Sequence, residues 1–320
     1  MTVRARLFDA DRSVRDVDLD PALPEKIADE QLLWVDVVEP DGDEIRGIGR
    51  TFGLERQSLV NLERRFGRPR LDHFRNYFEV TLTTVDNDGA GGPRELDVFV
   101  ARNHVVTVHA DRVPFLEEFD DQLGEDTDLG RLDAPAFLAS LLDWHVASYF
   151  RVVEELEREV DQLDLAALKT DDPEAVLARL AEARRRIGRV RRLLTPHREV
   201  YAGLARPDFE ALAESDSAPT FRALEDRLDR AIDAVENARE LLLGSFELLM
   251  TRAAQRTNEV MKVMTLASVV LLPSIVIAGV MGMNFRVAFF EVAEGFFVVL
   301  ASMAALALLT LVVARIRGWI

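Results

Sequence analysis

The chain has 320 residues, enough for two or three domains and a sizeable core, with 56 acidic against 39 basic side chains, a net charge of −17 and no cysteine. That balance argues against nucleic acid or an anionic lipid surface as a partner; it suits the attraction of cations and equally a solubilising surface, and the missing thiols fit a reducing compartment. Hydrophobic residues (48%) and charged residues (30%) look ordinary for a soluble protein, yet nearly all the charge lies before Lys262.

In chain order, Leu32–Val37 reads as a strand leading into an acidic turn around Pro40 and Gly42. Tyr77–Val85 is β-rich, residues 86–93 break it, and Leu96–Val100 and Val105–Val108 resume it as a hairpin. An α/β domain over residues 1–130 follows. From Ala134 the apolar positions Leu138, Leu141, Leu142, His145, Tyr149, Val152, Val153, Leu156 and Val160 recur at steps of three and four, predicting a helix to about Leu168. Asp171-Asp172-Pro173 separates it from a charged helix to about Leu194, where Arg184-Arg185-Arg186 reads as a solvated face. The five histidines are scattered, and His104 and His109, five apart on a strand, point to opposite faces. No glycine-rich phosphate loop, nucleophile–base pair or metalloprotease spacing is present, so neither an enzyme nor an organic cofactor is expected.

The next helix starts near Pro219-Thr220 and meets no strong breaker before Pro273, so residues 220–283 read as one helix of about 64 residues, roughly 95 Å long. Two uncharged runs, Val263–Phe285 and Gly295–Ala314, are each long enough to cross a bilayer. Pro273 removes a backbone donor within the first and is expected to kink or loosen it. Arg252, Arg256 and Lys262 precede the first run and Arg315 and Arg317 follow the second, which places both ends in the cytoplasm of a multi-pass inner-membrane protein. The expected layout is a cytoplasmic α/β domain (1–130), a helical stalk (131–260), a pore-lining span (261–284), an outer loop (285–294), a second span (295–314) and a basic tail (315–320).

Along the first span, steps of three or four from Asn258 pick out Met261, Thr265 with Met264 beside it, Ser268, Leu272, Ile275, Gly279 and Gly282, ending at Asn284. The stripe holds the polar and small residues, while Val269, Val270, Leu271, Ile277 and Val280 are bulky aliphatics suited to lipid. Close helix packing and a water-facing pore both explain it, and periodicity alone does not decide between them. Two helices enclose no lumen, so transport requires several copies around an axis. There Asn284 would form a ring of neutral amide oxygens, and Met261, Met264 and Leu272 apolar constrictions that dewet. Such a ring suits an ion that keeps its water, and Mg²⁺ dehydrates reluctantly.

Gly282-Met283-Asn284 resembles the Gly-Met-Asn signature of the CorA-type divalent-cation transporters and sits at the outer end of the first of two C-terminal spans, as it does there. Thr257–Val263, Pro273, Ile277-Ala278-Gly279 and the terminal Arg315–Ile320 are similar to that family as well, as are Leu33-Trp34-Val35-Asp36, Arg68-Pro69-Arg70, the Asn103–His109 strand and Pro196-His197-Arg198-Glu199. The resemblance implies an α+β membrane protein: a homopentamer with a cytoplasmic funnel of α/β domains and stalk helices, each stalk continuing into the pore helix. It implies a filter at Gly282, Met283 and Asn284, an inner polar ring at Asn258, a gate at Met261, Met264 and Leu272, and Mg²⁺ both as cargo and as a regulatory ion between subunits.

The sequence departs from the family pattern in places. Met281 replaces the frequent aromatic, Ile275 replaces a polar ring with only Ser274 adjacent, and the outer loop offers Glu291 and Glu294 alone for cation attraction. The sensing aspartate falls at Ala223, with Glu225 and Asp226, or Asp86 and Asp88, as substitutes. A Zn²⁺, Co²⁺ or Ni²⁺ transporter of the ZntB kind, with or without proton coupling, shares the architecture, although those metals prefer histidine or cysteine ligands. A membrane-anchored sensor or scaffold that conducts nothing would not require Asn284.

Overall fold

The computed structural model describes residues 2–9, 13–28, 30–64, 67–85, 93–125, 133–169, 173–209, 217–283 and 293–317. They divide into two compact units, Met1–Phe246 and Glu247–Ile320.

The first unit contains the strands β1 (Thr2–Phe8), β2 (Val14–Asp16), β3 (Leu32–Val38), β4 (Arg70–His73), β5 (Tyr77–Thr84), β6 (Arg94–Ala101) and β7 (His104–His109). They form one seven-stranded sheet in the order β2-β1-β3-β7-β6-β5-β4. Only β3 and β7 run parallel, with Val35 opposite Val106; the other pairs are antiparallel. The β5–β6–β7 meander is the hairpin pattern expected from sequence, and β5 is buried at all eight positions, as a strand covered on both faces must be.

Helices α2 (Gly42–Phe52) and α3 (Arg56–Arg64) cover one face, packing Ile45, Ile48, Phe52 and Leu62 onto Leu33, Val35, Val37, Phe99 and Val106. The region around Gly42, expected to be a turn, is instead a helix start. Asp41 accepts from the amides of Asp43 and Glu44 at 2.9 Å, and Glu44 accepts in return from the Asp41 amide at 2.7 Å, a capping box. The helix stops at Gly53, whose φ of +64° a Cβ would disfavour. The short α1 spans Leu23–Lys26.

On the other face Trp34 stacks edge-on to Phe119 (6.0 Å) and tilts against Phe137 (5.4 Å), which come from α4 (Pro114–Glu125) and α5 (Ala134–Lys169). The Leu33–Asp36 motif therefore has a structural task here. Trp34 Nε1 donates to Thr107 at 3.1 Å, and Thr107 donates to Asp36 at 2.6 Å. Asp36 also accepts from His109 Nε2 at 3.2 Å. Burial works to lower the His109 pKa, but the hydrogen bond and charge of Asp36 outweigh it and hold the value above the ordinary range. His104 packs on Phe52 across the sheet, so the two histidines do lie on opposite faces.

Helix α5 is followed by α6 (Pro173–Leu194) and, after a short α7 (His197–Leu204) not expected from the sequence, by α8 (Ala218–Met281); α5, α6 and α8 lie close to the predicted limits. One correction concerns Arg186, which is largely covered and donates to Glu159 on α5 at 2.6 Å rather than facing water. Arg70, of the Arg-Pro-Arg motif, is likewise inward, reaching the fully buried Glu79 at 2.6 Å, where Ser58 donates at the same distance.

A buried polar knot fastens the sheet to the helices. His145 Nε2 donates to the Thr83 carbonyl (3.0 Å), which also accepts from Tyr149 (2.8 Å). Tyr201 OH lies 2.9 Å from His145 Nδ1, and His197 Nε2 accepts the Thr83 amide at 3.1 Å. Each group is fully or almost fully enclosed, so an unmade hydrogen bond would be costly. Burial lowers His145 to about 4 and His197 well below its ordinary value. The folded form thus binds fewer protons than the unfolded chain below pH 6.5. This stabilisation is complete above about 6.5 and is lost as the pH falls toward about 4. Asp97, pushed up to about 7 by burial, acts in the opposite sense, because its contribution is lost as the pH rises through about 7. In urea unfolding of the full chain followed by tryptophan fluorescence, the midpoint should fall between pH 6.5 and 4. The fall should be shallower in His145→Gln; an unchanged acid limb in that variant contradicts the assignment.

The second unit holds the end of α8 and helix α9 (Ala293–Ile316), the two helices long and apolar enough to cross a membrane. The helix continues through Pro273 without interruption.

Candidate ion-conduction site

Each apolar helix of the second unit has one partly covered face. On α8 it comprises Leu266, Val270, Pro273, Ser274, Ile277 and Met281, and on α9 Gly295, Val299, Met303, Ala307, Thr310 and Ala314. Both sets step by three or four residues, apart from the adjacent Pro273 and Ser274, so each set is one face of its helix. Small residues dominate the α9 stripe.

At 100° per residue, the covered face of α8 centres about 180° from the stripe Asn258, Met261, Thr265, Ser268, Leu272, Ile275, Gly279 and Gly282. Every residue of that stripe is exposed in the single chain, as are Met264 and Met283. The gate candidates stand fully out, with Met261 at 60%, Met264 at 69% and Leu272 at 63% exposure. Nothing among the described residues of the same chain covers the stripe. What it meets must be water, lipid or another copy.

Of the five aliphatics expected to face lipid, Val270 and Ile277 lie on the partly covered face, while Val269, Leu271 and Val280 are exposed. Bulky residues serve a lipid face and a helix–helix seam equally well, so sequence could not separate them. Ser274 is also on the covered face and cannot replace the missing polar ring at Ile275.

Local chemistry suits an apolar environment. Ser268 donates to the Met264 carbonyl at 2.9 Å and Thr310 to that of Leu306 at 2.8 Å, so their protons are satisfied within each helix. A Cβ added at Gly279 would meet nothing within 4 Å, so no neighbour in the chain demands glycine there. Gly282 differs: an added Cβ would lie 3.2 Å from the Ala278 carbonyl oxygen, at the turn where the Gly282 amide donates to that same oxygen at 2.9 Å.

Asn284, Glu291, Asp86 and Asp88 lie outside the described residues, as does the side chain of Glu294 at the start of α9. Of the acids offered for regulation, Glu225 is half-buried and Asp226 exposed. Among the described residues no group of three or more acids or histidines is placed to hold a metal. Ala223 lines a groove of about 680 Å³ in which Asp143 is already paired with Arg227, and this donor set does not fit a regulatory Mg²⁺ within one chain.

Compared with known proteins, residues 29–315 match the model of the family described as CorA-like Mg2+ transporter protein. The chain is 27% identical over 283 residues to the cobalt/magnesium transport protein CorA of Thermotoga maritima, covering 87% of this chain and 80% of that one. It is 25% identical over 224 residues to the zinc transport protein ZntB of an Enterobacter species, covering 68% and 66%. Its fold matches the complete structure of the CorA magnesium transporter from Methanocaldococcus jannaschii with a TM-score of 0.81 over 100% of both chains, at 21% identity. With a family match spanning nearly the whole sequence, the chain belongs to the CorA-like Mg2+ transporters, a family of membrane ion transporters and not of enzymes.

Proposed function

We propose that the chain forms a homopentamer in the cytoplasmic membrane, both termini inside, that conducts hydrated Mg²⁺ along the axis between its first apolar helices. The observation that carries this reading is the placement of the polar and small stripe opposite the covered face, where only other copies can enclose it. In that assembly Asn284, with Gly282 and Met283, forms the outer filter and accepts hydrogen bonds from the ion's retained water. Asn258 supplies an inner polar ring. Met261, Met264 and Leu272 form the constriction that dewets when the pore narrows, and Glu291 and Glu294 raise the local cation concentration at the mouth. Residues 1–260 act as the cytoplasmic body. Regulation by intracellular Mg²⁺ requires Glu225 and Asp226 of one copy to meet acids of the next, Asp86 and Asp88 among them, because within one chain the described acids do not converge.

A second reading, a Zn²⁺ transporter coupled to protons, is favoured by the similarity to the zinc transport protein. Against it, the stripe offers neither histidine nor cysteine. Flux competition among Mg²⁺, Co²⁺, Ni²⁺ and Zn²⁺ in liposomes, with and without a pH gradient, separates the two. Mg²⁺ flux should dominate, Co²⁺ should compete, and the gradient should have no effect. Preferred Zn²⁺ flux driven by a pH gradient would establish the second reading instead.

A further inference from the structure

The chain carries sulfur only as methionine, and its distribution is uneven. After Met1 no methionine occurs until Met250, and the other six lie between Met250 and Met303, in the second half of α8, in α9 and in the link between them. Leucine of similar volume fills an apolar helix face as well, so packing alone does not require this concentration. The six divide by position. Met281 and Met303 sit on the partly covered faces, whereas Met250, Met261, Met264 and Met283 are exposed in the single chain. At 100° per residue, Met250, Met261 and Met264 all fall within about 60° of the centre of the Asn258–Gly282 stripe.

Met261 also borders an open hollow of about 430 Å³, whose other lining side chains, Gln255, Asn258, Glu259, Lys262 and Thr265, are all polar or charged. A thioether against such a surface is within reach of water and of any oxidant as small as water. Exposure of this kind decides which methionines oxidise. Oxidation turns a flexible apolar side chain into a polar one with an acceptor oxygen. Around Met261, the amide of Asn258 one turn before and the hydroxyl of Thr265 one turn after carry donors that suit that oxygen.

We infer that Met261 and Met264 form an oxidation site at which hydrogen peroxide opens the constriction. The sulfur lone pair attacks one peroxide oxygen, and the S–O bond forms as the O–O bond breaks. The proton on the transferred oxygen passes to the departing hydroxide, which leaves as water, so sulfur loses the two electrons that the peroxide gains. Each copy then brings up to two polar oxygens into a ring that excluded water while it was apolar, and the closed state wets. The effect on conduction rests on the gate assignment proposed above; the modification itself does not.

The test treats the full chain, reconstituted in liposomes under conditions that close it, with hydrogen peroxide, and follows cation leak beside peptide mass mapping. Met261 and Met264 should each gain one oxygen at least about fivefold faster than Met303. Leak should rise at least about threefold. Methionine sulfoxide reductases of both epimer classes, supplied with a dithiol, should return it to its starting value. With no cysteine in the chain, the dithiol acts on nothing else there. In Met261→Leu with Met264→Leu, peroxide should leave the variant's own leak unchanged, while Met250→Leu and Met303→Leu respond as the parent does. Met261→Gln, polar and uncharged like the sulfoxide, should leak without peroxide. Leak from Met261→Gln with no peroxide response in the parent, or a response that survives replacement of both methionines, overturns this inference alone. No leak from either oxidation or Met261→Gln removes the gate assignment and the inference with it.

Discussion

Asn284→Ala is expected to abolish most Mg²⁺ uptake while the protein remains oligomeric and membrane-inserted. If each amide oxygen accepts one hydrogen bond from the ion's water shell, its net worth is about 1 kcal/mol, so a ring of five is worth about 5 kcal/mol in ion occupancy. Strict additivity would make that more than a thousandfold, and even with heavy non-additivity the loss of flux at low external Mg²⁺ should exceed about 100-fold. Uptake by reconstituted protein, beside size-exclusion chromatography of the same sample, is the check. Flux within a few-fold of the parent would remove Asn284 from the filter without touching the assignment of the stripe.

Met261→Asp is expected to do the reverse, raising cation leak under conditions that close the parent protein. Met261 is 60% exposed in the single chain, so an aspartate there breaks no core. In a closed ring of methionines, water is excluded because the apolar wall offers it no hydrogen bonds. A ring of carboxylates hydrates the same constriction and attracts cations into it. An increase in leak of more than about tenfold corresponds to lowering the barrier by about 1.4 kcal/mol, a modest demand on five introduced charges. Unchanged leak would mean that Met261 meets a neighbouring helix and not the axis.

The architecture was legible where long periodic segments carry it. The repeats from Leu138 to Val160 predict α5 nearly to its ends, because a helix buried along one face must keep that spacing. Helix α2 was not legible as a helix: its glycines and the Pro40 before it look like turn chemistry, and the Asp41–Glu44 capping box is the signal that outweighs them. The inward positions of Arg186 and Arg70 were hidden for a different reason. A charge is placed inside only by a partner remote in sequence, Glu159 for one and Glu79 for the other.

The stripe from Asn258 to Gly282 was visible in the sequence as a row of small and polar residues, but its meaning was not. Small residues also make helix seams, and those of α9 lie on its covered face. In the structure the partly covered face of α8 runs from Leu266 to Met281, half a turn away from the stripe, which stays exposed in the single chain. Sequence missed that face because a residue such as Val270 has the same chemistry whether lipid or another helix covers it.

The chain contains no cysteine, so single cysteines can be introduced at will and probed without background. The decisive measurement is Mg²⁺ uptake after treatment with a positively charged thiol reagent, comparing Ser268→Cys, Leu272→Cys and Gly279→Cys with Leu266→Cys, Val270→Cys and Ile277→Cys. The account predicts block in the first three and none in the second three. Block confined to the second three would place the water path on the opposite face of the helix and contradict it.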